Sequence, residues 1–183
     1  MKKEEFHQIN KILEMPELTE KDIVSYVIER FADLKAESSM GKLVQFHTDN
    51  KYLLMAHSQV GLLKLGNIVS NHAKLPLEHV LKNYEDALEN TLKKEPTTKS
   101  HINVLMHIFG YFGKNLNQKE KDFFMKLIKK YKENRITLGK ILSEIEPITY
   151  KFNNLYLISQ TYFLLYSDAK MGNMFEVLSL QSN

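Results

Sequence analysis

Cysteine is absent from the chain. That excludes disulfides, thiolate zinc sites, cysteine nucleophiles and an iron–sulfur cluster held in the usual way on thiolates. Proline and glycine are scarce, 4 and 7 of 183 residues, so few positions force a turn and long helices are favoured. Only Arg30 and Arg135 are arginines. Arginine is the main bidentate reader of guanine, so base-specific major-groove recognition is not expected. No apolar run approaches the ~20 residues of a membrane span. Residues 1–7 lack the apolar stretch of a signal peptide, and a cytoplasmic protein is the expectation. A Gly-rich phosphate loop, a Gly-x-Ser-x-Gly elbow, a His-Glu-x-x-His motif and paired catalytic acids are all missing. Neither a metal nor a cofactor is expected.

What is present is an ample core: 43% of residues are hydrophobic, so no covalent staple is needed. The net charge of +3 and pI near 8.8 permit an anionic partner without requiring one. Thr19 followed by an acid at Asp22 reads as a helix start, and Ile23, Val27, Phe31 and Leu34 recur behind it at helical spacing. A second helix is expected over 42–56, apolar on most sides near its end and therefore central. Ser58 can cap the next helix, and Pro76 opens another carrying Val80, Leu81, Tyr84 and Leu88. Residues 98–112 place Ile102, Leu105, Phe109 and Phe112 on one face. Asn117 and Glu120 form a capping box before Phe124, Leu127 and Ile128. Leu138, Ile141, Leu142 and Ile145 mark a further helix that Pro147 should bend, and a last short helix is expected over 155–163. These patterns predict an all-α, single-domain bundle of about seven to nine helices. Residues 1–22 would be a lead-in, 23–166 the domain and 167–183 a tail.

Two of these helices carry polar groups that a plain bundle does not need. His47, Lys51 and Ser58 share a stripe with Leu54, and His57 lies just beside it. Asn103, His107 and Tyr111, four residues apart, share a face roughly opposite the apolar side of their helix. Were the helices neighbours, both stripes could line one pocket. Three readings compete: buried polar packing, anion or nucleotide binding through Lys51, the histidines and a stacking Tyr111, and catalysis with His57 or His107 as general base. The run Lys119, Lys121, Lys126, Lys129, Lys130, Lys132 and Arg135 reads either as the solvated face of an amphipathic helix or as a phosphate-backbone track.

The same helices carry a family resemblance. The segment Phe46-His47, then Lys51-Tyr52-Leu53-Leu54-Met55-Ala56-His57-Ser58, resembles the signature of the YbgA-like family, and Leu65-Gly66 fits the Leu-Gly pair next in that signature. Asn103-Val104-Leu105-Met106-His107, then Gly110-Tyr111-Phe112, is similar to a second signature. Tyr131 with Arg135, and Tyr156 through Gln160 to Tyr162-Phe163, fit weaker marks downstream. The resemblance spans residues 23–166. It implies a domain of unknown function, found alone or fused behind a thiouracil desulfidase with a cysteine-ligated cluster. The fused proteins are associated with removing sulfur from 4-thiouridine in transfer RNA, and the YbgA-like part is their presumed RNA-binding half. For this chain it implies an RNA-binding accessory domain, which the absence of cysteine leaves without cluster chemistry of its own. Its partners would be transfer RNA or a thionucleoside, and a separately encoded desulfidase. His47, Lys51, His57, Ser58, Asn103, His107, Tyr111 and Arg135 are the candidate site residues. A nucleoside-directed enzyme and a module that docks a desulfidase are the alternatives.

Overall fold

The structure, a computed structural model, describes residues 18–37, 39–151 and 155–167. Helices succeed one another throughout: α1 (Glu20–Ala36), α2 (Met40–Asp49), α3 (Lys51–His57), α4 (Gln59–Ser70), α5 (Leu77–Leu92), α6 (Thr98–Phe112), α7 (Gln118–Lys132), α8 (Leu138–Lys151), α9 (Leu155–Ile158) and α10 (Thr161–Tyr166). Among the described residues there is no strand, and the protein is an all-α bundle.

The helix starts are set by side-chain caps, each satisfying a backbone N–H that the helix itself cannot. Thr19 and Asp22 form a reciprocal capping box at α1, and Asn117 and Glu120 form another at α7. Ser58 accepts from the Gly61 amide at 3.0 Å and opens α4. Thr97 pairs with Ser100 in the same way at α6. The α4–α5 packing is so close that a Cβ on Gly61 would lie 2.4 Å from Thr91 Oγ1, which explains the glycine. Pro147 lies within α8.

Short α3 is the centre of the fold. Every one of its residues from Tyr52 to His57 is buried, and only Lys51 is exposed. It packs against α4, α5, α6 and α10, which accounts for a helix apolar on nearly all sides.

Two expectations need correction. The helix expected over 42–56 is two helices, divided at Asn50, and the one expected over 155–163 is divided between Ile158 and Thr161. Both breaks trace to Gln160, which is fully buried. In an unbroken helix the Tyr52 N–H would donate to the Thr48 carbonyl. Instead the Gln160 carboxamide stands between them. Its Nε2 donates to the Thr48 oxygen at 2.8 Å, and its Oε1 accepts from the Tyr52 amide at 3.4 Å. A side chain inserted into the i→i−4 ladder is a recognised cause of a helix kink, and periodicity cannot reveal it.

Removing that carboxamide should be costly, because one buried and one part-buried backbone group lose their partner, at about 1–3 kcal/mol each. Gln160→Leu should lower the unfolding free energy by roughly 2–4 kcal/mol in urea titrations. Gln160→Glu should also destabilise at neutral pH, since a carboxylate cannot donate to Thr48. Part of the loss should return in acid, where the carboxylic acid regains an O–H.

Candidate functional site

The break between α2 and α3 aims three tyrosines toward one another. Tyr52, at the start of α3, is buried, and its ring centroid lies 6.4 Å from that of half-buried Tyr156 on α9. Tyr156 in turn stacks on Tyr111, near the end of α6, with centroids 5.6 Å apart and planes 30° from parallel. Tyr111 is 53% exposed, a large fraction for an aromatic ring already stacked on a neighbour. Lys51 Nζ sits 5.8 Å from the Tyr52 centroid, within cation–π range. His107 is exposed one turn before Tyr111, Asn103 is half-buried a further turn back, and the surface at Gly110 is open. Burial raises the Tyr156 hydroxyl above its usual range, with Tyr111 and the Asp49 carboxylate adding to it. Burial likewise raises Asp49, against a hydrogen bond from Gln45.

His57 belongs to a different environment at the other end of α3. Its Nδ1 donates to the Lys94 carbonyl at 2.7 Å. Its Nε2 lies 3.0 Å from Glu20 Oε1, a close contact without hydrogen-bond geometry. The Tyr166 hydroxyl donates to the same Glu20 oxygen at 2.7 Å. His101 Nδ1 lies 2.8 Å from the buried Tyr162 hydroxyl, and its ring meets Tyr166 edge-on at 5.2 Å. Burial alone would raise Glu20. The His57 and Tyr166 contacts outweigh it and hold the carboxyl below its usual range. His101 is pushed down to about 4, chiefly by burial, with Glu20 opposing and His57 reinforcing.

The two sequence stripes therefore do not meet in one pocket. Lys51 and Tyr111 come together through Tyr52 and Tyr156, with His107 beside Tyr111 on the outer face of α6. His47, one turn before Lys51, faces α5 instead: its Nδ1 is 3.1 Å from the Tyr84 hydroxyl, and burial followed by Lys51 depresses it. His57 joins the Glu20 network. Ser58 caps α4, and Lys94 Nζ reaches it at 3.4 Å. Arg135 comes just after α7 and pairs with Glu133. Tyr52, Tyr156, Asp49, Glu20, His101 and Tyr162 were not picked out by the stripes. Tyr52, Tyr156 and Tyr162 could have been, because they fall within the segments that carry the resemblance.

Among the described residues no group of three or more His, Cys, Asp or Glu side chains is placed to hold a metal ion. No helix of the described residues is long and apolar enough to cross a membrane. The molecule is a cysteine-free helical bundle with a half-exposed tyrosine stack on its surface and a closed histidine–glutamate–tyrosine network beneath. The family described as "Protein of unknown function (DUF1722)" matches residues 51–167, and the chain belongs to that YbgA-like family. The "Uncharacterized protein YbgA" of Escherichia coli (strain K12) is 29% identical to it over 127 residues, 69% of this chain and 75% of that protein. No solved structure matches the chain.

The buried network gives the protein an acid limb. His101 is neutral in the folded state down to about pH 4, whereas the unfolded chain binds that proton near 6.5. Between those values the unfolded state holds more protons, so stability falls as pH drops from about 6.5 toward 4, by up to about 3 kcal/mol. Glu20 adds a loss below the ordinary glutamate range, where its lowered carboxyl must take up a proton. His101→Gln, which can still bond Tyr162, should flatten the fall in urea midpoint between about pH 7 and 5. An unchanged slope would show that His101 is not the group responsible.

Proposed function

We propose that the chain is an RNA-binding accessory domain. It takes transfer RNA or thionucleosides in connection with 4-thiouridine desulfuration and leaves the sulfur chemistry to a separately encoded desulfidase. The observation that carries this reading is Tyr111, half-exposed yet stacked on Tyr156, with Lys51 on the rim of the same group. An aromatic ring with a free face stacks a nucleobase for about 1–3 kcal/mol whatever its sequence, and a neighbouring cation meets the phosphate. Exposed Lys119, Lys126, Lys129 and Lys132 on α7 form no ion pair among the described residues and supply further backbone charge. The absence of cysteine removes the ligands on which a cluster would be built, so desulfuration through such a cluster falls to a partner.

The geometry gives less support to an enzyme working through His57. A general base needs one ring nitrogen free to face the substrate. In His57 one nitrogen is spent on a backbone carbonyl and the other faces Glu20. His107 is exposed, but no described side chain orients its ring.

Transfer RNA with and without 4-thiouridine, titrated against the protein over a salt series, tests the proposal. Binding should weaken steeply with salt, and Lys51→Ala should reduce the slope by about one. Tyr111→Ala should cost roughly tenfold or more in affinity. Lys51→Ala should leave the unfolding free energy within about 0.5 kcal/mol, and Tyr111→Ala, which removes the stack on Tyr156, should cost about 0.5–1.5 kcal/mol. Affinity no greater than for random RNA would overturn the transfer-RNA assignment. Variants that lose stability while binding per folded molecule persists would return both residues to packing.

A further inference from the structure

Asp49 is the last residue of α2, directly before the break at Asn50. It is half-buried, and burial raises its carboxyl. Among the described residues no cation pairs with it, and its one partner is the Gln45 carboxamide at 2.7 Å. A half-buried carboxylate left without a cation is a mark of function rather than of stability.

The charge of Asp49 acts on the Tyr156 hydroxyl, which places it beside the tyrosine stack. The Asn50 amide donates to the Phe46 carbonyl at 2.8 Å, while its buried Oδ1 has no donor. That oxygen is closed to solvent and is not offered to a ligand. Lys51 comes next, and Tyr52 then begins the tyrosine stack. Asp49 and Lys51 thus offer an anion and a cation beside the tyrosine stack, held at the kink that Gln160 maintains.

That order has a chemical complement. A carboxylate repels phosphate and accepts from O–H or N–H, an ammonium attracts phosphate, and a tyrosine stack receives a base. A ribonucleotide carries all three parts, and its 2′-hydroxyl is the donor that DNA lacks. We infer that Asp49 is a specificity residue of the tyrosine site: it accepts a hydrogen bond from the ribose 2′-hydroxyl of a nucleotide stacked on Tyr111, and so selects RNA over DNA. This rests on the RNA-binding reading above and adds what that site discriminates.

The test is fluorescence anisotropy with a labelled single-stranded oligoribonucleotide and its DNA counterpart of the same sequence, on the full chain. The wild type should favour RNA by about tenfold, or ~1.4 kcal/mol. Asp49→Ala should bring the RNA-to-DNA ratio close to one. Removing a negative charge can tighten both ligands, so the ratio and not the absolute affinity is the readout. Lys51→Ala should weaken both ligands alike and leave the ratio intact. A ratio unchanged in Asp49→Ala, with Tyr111→Ala still weakening RNA, would overturn the role of Asp49 and leave the stacking site standing. A wild type that binds neither ligand, or Tyr111→Ala without effect on RNA, would overturn the site itself.

Discussion

Gln160 stands where a helical hydrogen bond between Tyr52 and Thr48 would otherwise form, giving each of those backbone groups a side-chain partner instead. Much of the rest of the structure depends on that substitution. It breaks one long helix into α2 and α3, so α3 can lie in the centre of the bundle with all but its first residue buried. It also fixes the junction between α9 and α10 against the kink, which brings Tyr156 beside Tyr52 and Tyr111. A buried carboxamide with both ends satisfied is strongly directional. It specifies this crossing in a way that interchangeable leucines would not.

The two ends of α3 have opposite characters for a physical reason. At the His57 end every titratable group meets another group of the protein: Glu20 takes Tyr166 and His57, and His101 takes Tyr162. Such a closed network stabilises the bundle and ties its pH dependence to His101, but it offers little to a ligand. At the Lys51 end the valences remain open. Tyr111 keeps an exposed face, Lys51 has no acid and Asp49 has no cation among the described residues. Groups left in that condition cost stability, and binding a complementary molecule is what would offset the cost.

Helix periodicity and capping chemistry made most of the fold readable. Thr19, Ser58 and Asn117 start the helices their sequence context suggests, and 98–112 is helical from end to end. The two misplaced boundaries have one source, a long-range contact between residues 48–52 and 160 that no local pattern encodes. The candidate site was partly legible. Lys51 and Tyr111 were found from their stripes, yet the same reasoning drew in His57 and His47. Residues of α2 and α3 that share a stripe on a straight helix diverge once the helix kinks at Asn50. Asp49 carries no signal in the sequence, because an acid on an amphipathic helix is ordinary until its burial and lack of a cation are seen.

The most direct measurement is photocrosslinking of the full chain to transfer RNA carrying 4-thiouridine, whose thiocarbonyl is itself activated by long-wavelength ultraviolet light. The crosslinked peptides are then mapped by mass spectrometry. If the tyrosine stack is where RNA is held, the RNA-bearing peptides should include Lys51–Tyr52 or Tyr111, and the yield should fall in Tyr111→Ala. Crosslinks confined to other surfaces, with a yield indifferent to Tyr111, would contradict the account.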